Sequence, residues 1–131
     1  MSERRDAVVA VVNNNGKILL ARKRPDSSKF FAGLWHVPGE TLRDGESDSN
    51  GLIRGIMEEA GILIEVGDYI GKHTTPSHRE ARWYECRAHT YLVTPGGDVD
   101  QLRWAFKLEV LDVCKRVSTF WSEDVRAYFE A

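Results

Sequence analysis

The sequence has little of several features that mark particular protein classes. It contains only 2 cysteines, too few for the disulfide framework of a small secreted domain. No apolar run approaches the roughly 20 residues of a transmembrane helix, and the apolar stretch 7–12 is too short for a signal peptide. The charges nearly balance, with 18 Lys and Arg against 20 Asp and Glu. Because long nucleic acids attract a basic surface, we expect neither long nucleic acid nor membrane as a partner, and we expect a cytoplasmic protein.

What is present indicates a folded chain. Apolar residues make up 42% and aromatic residues 10% of the 131 positions, which argues against intrinsic disorder. A chain of this length buries enough surface to form one domain, and no repeat, linker or low-complexity tract divides it. We therefore predict a single domain over residues 1–131, present as a monomer or a homodimer.

Apolar runs separated by turn residues predict the strands. The β-branched run 7–12 is followed by asparagines, a glycine and a second apolar run, which is the pattern of a hairpin. Pro38 and Gly39 are expected to stop regular pairing, because proline has no N–H and glycine permits unusual backbone angles. The predicted strands are 7–12, 17–23, a strand entered near Leu34, 62–69, 82–93 and 102–108.

Two segments change to a helical period. Between 47 and 60 the apolar residues recur at spacings of one, three and four. Ser47 or Ser49 can supply the N-cap oxygen, and Gly61 is placed to end that helix. A similar spacing over 117–129 predicts a C-terminal helix. The order β-β-β-α-β-β-β-α predicts an α+β or α/β sandwich with mixed strands.

Acidic residues gather around the first helix. Glu58 and Glu59 are adjacent near its C-terminus, where the helix dipole disfavours negative charge, and Glu46 precedes it. Arg54 lies four residues before Glu58, so these two share a helix face and can pair. A divalent cation such as Mg²⁺ or Mn²⁺ would relieve the remaining repulsion, since hard cations prefer oxygen ligands. The alternative is that Glu58 and Glu59 are ordinary solvated surface charges.

Residues 38–62, PGETLRDGESDSNGLIRGIMEEAGI, resemble the Nudix box, whose pattern is G-x5-E-x7-R-E-U-x-E-E-x-G-U with U a bulky aliphatic residue. The similarity is to MutT-like members of the Nudix hydrolase superfamily. It extends to the approach strand 31–39, FAGLWHVPG, and to the second strand 19–25, LLARKRP. The box positions that match are Glu46, Arg54, Ile56, Glu58, Glu59, Gly61 and Ile62.

The chain departs from the box at two positions. Glu40 stands where the pattern opens with glycine, although Gly39 beside it is retained, and Gly55 stands where the pattern has glutamate. In several relatives that glutamate ligates metal or acts as the general base that orients the attacking water, and a glycine can do neither. Gly55 also costs the helix about 1 kcal/mol relative to alanine.

The resemblance implies an α+β fold, an α/β/α sandwich with a mixed sheet between helices. It also implies a MutT-like housecleaning activity, in which Mg²⁺ or Mn²⁺ assists water to cleave the diphosphate of a small nucleotide derivative. Arg54 would hold Glu46 in place. The implied metal ligands are Glu58, Glu59, the Gly39 carbonyl and, from outside the box, Asp98. His36 is the implied base contact, and Arg22 and Arg24, which alternate to one strand face, are candidate phosphate contacts.

The missing glutamate leaves two further hypotheses. The chain is either a Nudix-fold protein that binds a nucleotide, as a regulator, without hydrolysing it, or a hydrolase whose base comes from elsewhere. The candidates for such a base are Glu85, His78, Asp98 and Asp100.

Overall fold

The computed structural model describes residues 5–131. Residues 1–4, at which a signal peptide would begin, lie outside the described part. Seven strands form one mixed sheet in this part of the chain. No helix within residues 5–131 is long and apolar enough to cross a membrane. The strands are β1 (Ala7–Asn14), β2 (Lys17–Lys23), β3 (Trp35–His36), β4 (Gly39–Thr41), β5 (Glu65–Thr74), β6 (Glu80–Arg87) and β7 (Val99–Phe106). The helices are α1 (Asp48–Ala60), α2 (Val110–Val113), α3 (Lys115–Ser118) and α4 (Glu123–Glu130), with a 3₁₀ turn at Lys107–Glu109.

Strand β1 lies at the centre of the sheet. It pairs parallel with β6, from Ala7 opposite Ala81 to Asn13 opposite Arg87, and antiparallel with β2 and β4. Strand β2 also pairs antiparallel with β3 and β7, and β5 pairs antiparallel with β6. The parallel and antiparallel pairs together make the sheet mixed, as the element order predicts.

The side chains of β1 alternate between two apolar cores. Val8 and Val12 face the core that α1 covers, while Val9 and Val11 face the core that α2, α3 and α4 cover. Helix α1 contributes Leu52, Ile56 and Ala60 to the first core. The second core contains Trp83, Val110, Val117, Trp121, Val125 and Phe129. The sheet therefore lies between helices, which confirms the predicted sandwich.

Helix α1 begins and ends where its sequence predicts. Ser47 is extended, and its Oγ accepts a hydrogen bond from the Asn50 N–H at 3.1 Å, so Ser47 rather than Ser49 is the N-cap. Gly61 has a φ of 71°, and its N–H donates to the Met57 carbonyl. Glycine adopts this left-handed conformation without strain. The hairpin of β1 and β2 is confirmed as well.

The predicted continuous helix over 117–129 is wrong. Helix α3 ends at Ser118 and α4 begins only at Glu123. Between them Ser122 is extended, and its Oγ accepts a hydrogen bond from the Val125 N–H at 3.4 Å. A serine oxygen that bonds the backbone in this way starts a new helix rather than continuing the old one.

Several strand boundaries also differ from the prediction. Gly39 does not stop pairing, because β4 begins there opposite Val9. A Cβ at position 39 would lie 3.1 Å from the Val8 carbonyl oxygen, so the glycine permits this close approach. Strand β6 ends at Arg87 rather than at 93, close to the point where its parallel neighbour β1 ends at Asn14. Strand β5 begins later than predicted, and β7 begins earlier.

Candidate active site

A cleft of about 580 Å³ opens between α1, β4, β6 and the loops that precede β3, β6 and β7. Its walls combine three kinds of side chain. The carboxylates are Glu40, Glu58, Glu59 and Asp98; the cations are Lys23, Lys29 and Arg79; the aromatic rings are Phe30, Phe31, Trp83 and Trp121. Such a cleft offers oxygen ligands to a metal, positive charge to an anion and a flat apolar wall to a ring.

Arg54 connects the loop before α1 to the helix itself. Its Nε donates to Glu46 Oε2 at 2.8 Å and its Nη2 donates to Glu46 Oε1 at 2.9 Å. Its remaining donors reach the Thr41 carbonyl at 3.1 Å and Glu58 Oε1 at 3.2 Å. The Arg54 guanidinium lowers the pKa of Glu46 to about 2. The structure thus places Arg54 against Glu58, with which helical spacing associates it, and against Glu46, the partner that the resemblance implies.

Glu59 is a carboxylate with an unsatisfied oxygen. Within residues 5–131, its buried Oε1 atom has no hydrogen-bond partner. Burial, together with the nearby charge of Glu40, raises the pKa of Glu59 to about 8 against the opposing effect of Lys23. A carboxyl group in this position holds a proton at neutral pH unless a cation binds next to it.

Glu40 and Gly55 face each other across β4 and α1. A Cβ at position 55 would lie 2.9 Å from Glu40 Cβ and 3.4 Å from Glu40 Oε2. Only a crevice of about 10 Å³ remains beside them, with Glu59 on its wall. The sequence shows that position 40 gains a glutamate and that position 55 lacks one. Only the fold shows that these two residues are in contact.

The donor set of the cleft fits a hard divalent cation. The carboxylates that line it supply oxygen ligands only, and the unpartnered Oε1 of Glu59 is an acceptor ready for a cation. Within residues 5–131, no three His, Cys, Asp or Glu side chains already converge at metal-ligand spacing. Glu58 Oε1 instead accepts hydrogen bonds from Arg54 and from Arg43, whose Nη2 lies 3.5 Å from that oxygen. The ligands would therefore assemble when the ion binds.

Gly39 and Asp98, the two other predicted ligands, also line the cleft. Asp98 accepts a hydrogen bond from Ser27 Oγ at 2.8 Å through Oδ2, so the second carboxylate oxygen is not used by that bond. Gly61 lies at the end of α1 as the residue that terminates the helix. The structure therefore brings Gly39, Asp98 and the two box glutamates to one cleft.

The predicted substrate contacts divide between the cleft and the outer surface. His36 lines the cleft, and its Nδ1 donates to the Val37 carbonyl at 3.0 Å. Its buried Nε2 has no hydrogen-bond partner among the described residues. Arg22 instead forms a two-bond pair with Asp100, and Arg24 pairs with Asp26. Neither arginine is among the residues that line the cleft, and the role of both in substrate binding stays a prediction.

Two lysines that sequence reasoning did not select lie where those arginines were expected to act. Lys23 and Lys29 both line the cleft. Burial lowers the pKa of Lys23, and its Nζ donates to the Phe30 carbonyl at 3.1 Å. The pairing of β2 with β7 shifts register between Arg22 and Lys23. Lys23 lines the cleft, whereas Arg22 is bound to Asp100.

An aromatic wall forms the second feature that the sequence did not reveal. Trp83 and Trp121 meet with ring centroids 4.7 Å apart, and both line the cleft. In the part of the chain that the structure describes, the buried Nε1 of Trp83 has no hydrogen-bond partner, which leaves a donor for a polar ligand. These two tryptophans are far apart in sequence, and no local pattern associates them.

The alternative bases lie in different surroundings. Glu85 accepts a hydrogen bond from the Tyr128 hydroxyl at 2.5 Å, and Asp100 is held by Arg22. His78 lies in the turn between β5 and β6 with a φ of 63°. Of the four candidates named from sequence, Asp98 is the one among the cleft-lining residues.

Curated relatives share the region around the box. The chain is 38% identical over 68 residues to a CTP pyrophosphohydrolase of Escherichia coli (strain K12), an alignment that covers 52% of this chain and 49% of that protein. It is 27% identical over 93 residues to an ADP-ribose pyrophosphatase of Methanocaldococcus jannaschii, covering 71% and 53%. The chain thus spans about half the length of the curated relatives it matches.

Solved structures share the fold over nearly the whole chain. A NUDIX hydrolase from Nitrosomonas europaea superposes with a TM-score of 0.80 at 16% identity, covering 99% of this chain and 72% of that one. A MutT protein from Methanosarcina mazei gives a TM-score of 0.73 at 23% identity, covering 96% and 90%. The sequence pattern described as the NUDIX domain matches residues 3–121. With the box, the sandwich and this match in agreement, the chain belongs to the NUDIX domain family.

Proposed function

We propose that this protein is a metal-dependent pyrophosphohydrolase that cleaves the diphosphate linkage of a nucleoside di- or triphosphate derivative with Mg²⁺ or Mn²⁺. The observation that carries the proposal is the buried, unpartnered Oε1 of Glu59 in a cleft that also holds lysines and tryptophans. A carboxylate so placed is a poor structural element, because one buried oxygen accepts no hydrogen bond from the described residues. It is a suitable ligand for a cation that arrives with a polyphosphate.

The proposed role of each residue follows from its position in the cleft. Glu58, Glu59, the Gly39 carbonyl and Asp98 would hold the cation, which when bound neutralises phosphate charge and activates water. Arg54 keeps Glu46 in place and also contacts Glu58, so it controls where the helix presents its carboxylates.

The opposite wall of the cleft binds the rest of the nucleotide. Lys23 and Lys29 place positive charge where phosphate oxygens would lie. The Trp83 and Trp121 rings offer an apolar wall for the base, and His36 offers its free ring nitrogen to a base edge. The names of the two curated relatives support CTP and ADP-ribose as the first substrates to test.

The experiment is a hydrolysis screen of the full chain with Mg²⁺ or Mn²⁺. The substrates are nucleoside triphosphates, oxidised nucleotides, ADP-ribose and dinucleoside polyphosphates. The products are separated and quantified by anion-exchange chromatography, because cleavage of ADP-ribose or of a dinucleoside polyphosphate releases two phosphate esters rather than free phosphate or pyrophosphate. Glu59→Gln should lower the rate by about 100-fold, a loss typical of a disrupted metal site. The matched control Glu65→Gln, an exposed carboxylate that pairs with His89, should keep the native rate.

The same screen separates hydrolysis from binding alone. Quenching of tryptophan fluorescence by a nucleotide without measurable turnover would replace the proposal with a nucleotide-binding protein, the alternative that Gly55 raises. Full activity in Glu59→Gln would overturn the assignment of the metal site.

A further inference from the structure

We propose that Glu40 ligates the divalent cation of the cleft and thereby supplies, from strand β4, the carboxylate that helix α1 lacks at Gly55. The inference rests on the proposed function, because it assigns a ligand to the metal of the same site. Glu40 stands at the position where the box pattern has its first glycine, and the pattern assigns no role to a glutamate there.

The first argument is steric. The Glu40 side chain occupies the space into which a side chain at position 55 would extend, with Glu40 Cβ 2.9 Å and Glu40 Cγ 3.2 Å from a Cβ built there. Contacts below about 3 Å between such carbon atoms force the backbone or the side chain to move. A glutamate at 40 and a side chain at 55 therefore exclude each other in this backbone.

The second argument is the weak compensation of Glu40. Its side chain is 23% exposed and lies 3.7 Å from Arg54, beyond hydrogen-bond distance. The contact that its carboxylate does make is to the N–H of the next residue, Thr41, at 3.2 Å. Glu40 lines the cleft together with Glu59, the carboxylate with the unpartnered oxygen. Two undercompensated carboxylates on one wall are the arrangement that a cation would complete.

The test measures Mn²⁺ binding to the full chain by isothermal titration calorimetry and by the paramagnetic resonance signal of free Mn²⁺. The variants are Glu40→Gln, Glu40→Gly, Gly55→Glu and the double variant with Glu40→Gly and Gly55→Glu. We expect Glu40→Gln and Glu40→Gly each to weaken Mn²⁺ binding by about 10-fold or more, as loss of a ligand-sphere group does. Gly55→Glu should also weaken binding, because the new side chain collides with Glu40. The double variant should recover affinity to within a few-fold of the native protein, since it moves the carboxylate from the strand to the helix.

Glu40→Gln keeps the shape of the side chain, so it carries the test even if Glu40→Gly lowers the melting temperature. Native Mn²⁺ affinity in Glu40→Gln would overturn the inference. It would also be overturned by a Gly55→Glu protein that binds Mn²⁺ better than the native chain, or by a double variant no better than Glu40→Gly. Glu59→Gln separates the two proposals: if it loses Mn²⁺ while Glu40→Gln does not, only the role of Glu40 fails, and if neither loses Mn²⁺, the metal site itself fails.

Discussion

The guanidinium of Arg54 holds the carboxylate of Glu46 through two hydrogen bonds, at 2.8 and 2.9 Å. The Arg54 side chain is 17% exposed and the Glu46 side chain is 12% exposed. The pair ties the loop before α1 to the middle of the helix, one turn before Glu58. Planar, two-bond recognition of this kind is specific to arginine, because a lysine ammonium presents a single point of charge.

Arg54→Lys should therefore weaken Mn²⁺ binding by about 10-fold through misplaced carboxylates, although the charge is kept. Titration calorimetry measures the change, and Arg116→Lys, an exposed arginine on α3, is the matched control. Adding Glu46→Gln to Arg54→Lys should cost little more, because the two residues act as a pair. Independent, additive losses would contradict this coupling.

Ser47→Ala should lower the free energy of unfolding by about 1 kcal/mol, because it removes the acceptor for the Asn50 N–H at the start of α1. Urea denaturation followed by circular dichroism measures the difference. Ser49→Ala is the internal control: Ser49 is exposed within the helix, where alanine has the higher helix propensity. A larger loss in Ser49→Ala than in Ser47→Ala would show that the N-cap is misassigned.

Stability should depend on pH through His36. Burial lowers the pKa of His36 to about 4, against an ordinary value of 6.5, with Lys23 lowering it and Asp98 opposing the shift. The unfolded chain therefore binds the proton first as the pH falls. The contribution is complete above pH 6.5 and is lost between pH 6.5 and 4, by about 3 kcal/mol at most.

Urea denaturation at pH 7.5 and pH 4.5 measures this loss. His36→Gln should flatten the dependence relative to the native protein, while His89→Gln, which removes an exposed histidine, should leave it unchanged. Equal pH dependence in the native chain and His36→Gln would contradict the assignment.

Lys23 lines the cleft. If the cleft binds a nucleotide as proposed, the lysine would contact the phosphates in ground state and transition state alike, so Lys23→Met should raise the KM by about 10-fold with a smaller effect on kcat. Steady-state kinetics on the substrate found in the screen measures the split. Lys115→Met, an exposed lysine on α3, is the control. Arg24→Met tests the other candidate phosphate contact. If Arg24→Met raises the KM and Lys23→Met does not, Arg24, which the sequence predicts, contacts the phosphates rather than the cleft residue Lys23.

Local chemistry made part of this protein predictable. The β1–β2 hairpin follows from a turn between two apolar runs, and α1 follows from its apolar period together with Ser47 and Gly61 at its ends. These signals act over a few residues, through hydrogen bonds and backbone angles that neighbouring residues determine. The pairing of Arg54 with Glu58 is equally local, since four residues span one helical turn.

The C-terminal helix shows where such reasoning stops. The apolar spacing over 117–129 suits one continuous helix, yet Ser122 starts a new one so that Val117 and Phe129 both reach the core. The predicted strand ends were wrong for a related reason. The apolar residues after Arg87 could extend β6, but the neighbouring strand that would pair with them has already ended.

Motif spacing and the order of elements were enough to predict the family, the sandwich and the gathering of acids around α1. The tertiary fold, in contrast, sets which charges meet in the cleft. It turned Arg22 to Asp100, 78 positions away, and left Lys23 in the cleft. It also set Glu40 against Gly55, so that two departures from the pattern became one contact. Side chains far apart in sequence meet only when the sheet and helix pack, and packing depends on the whole core rather than on any one segment.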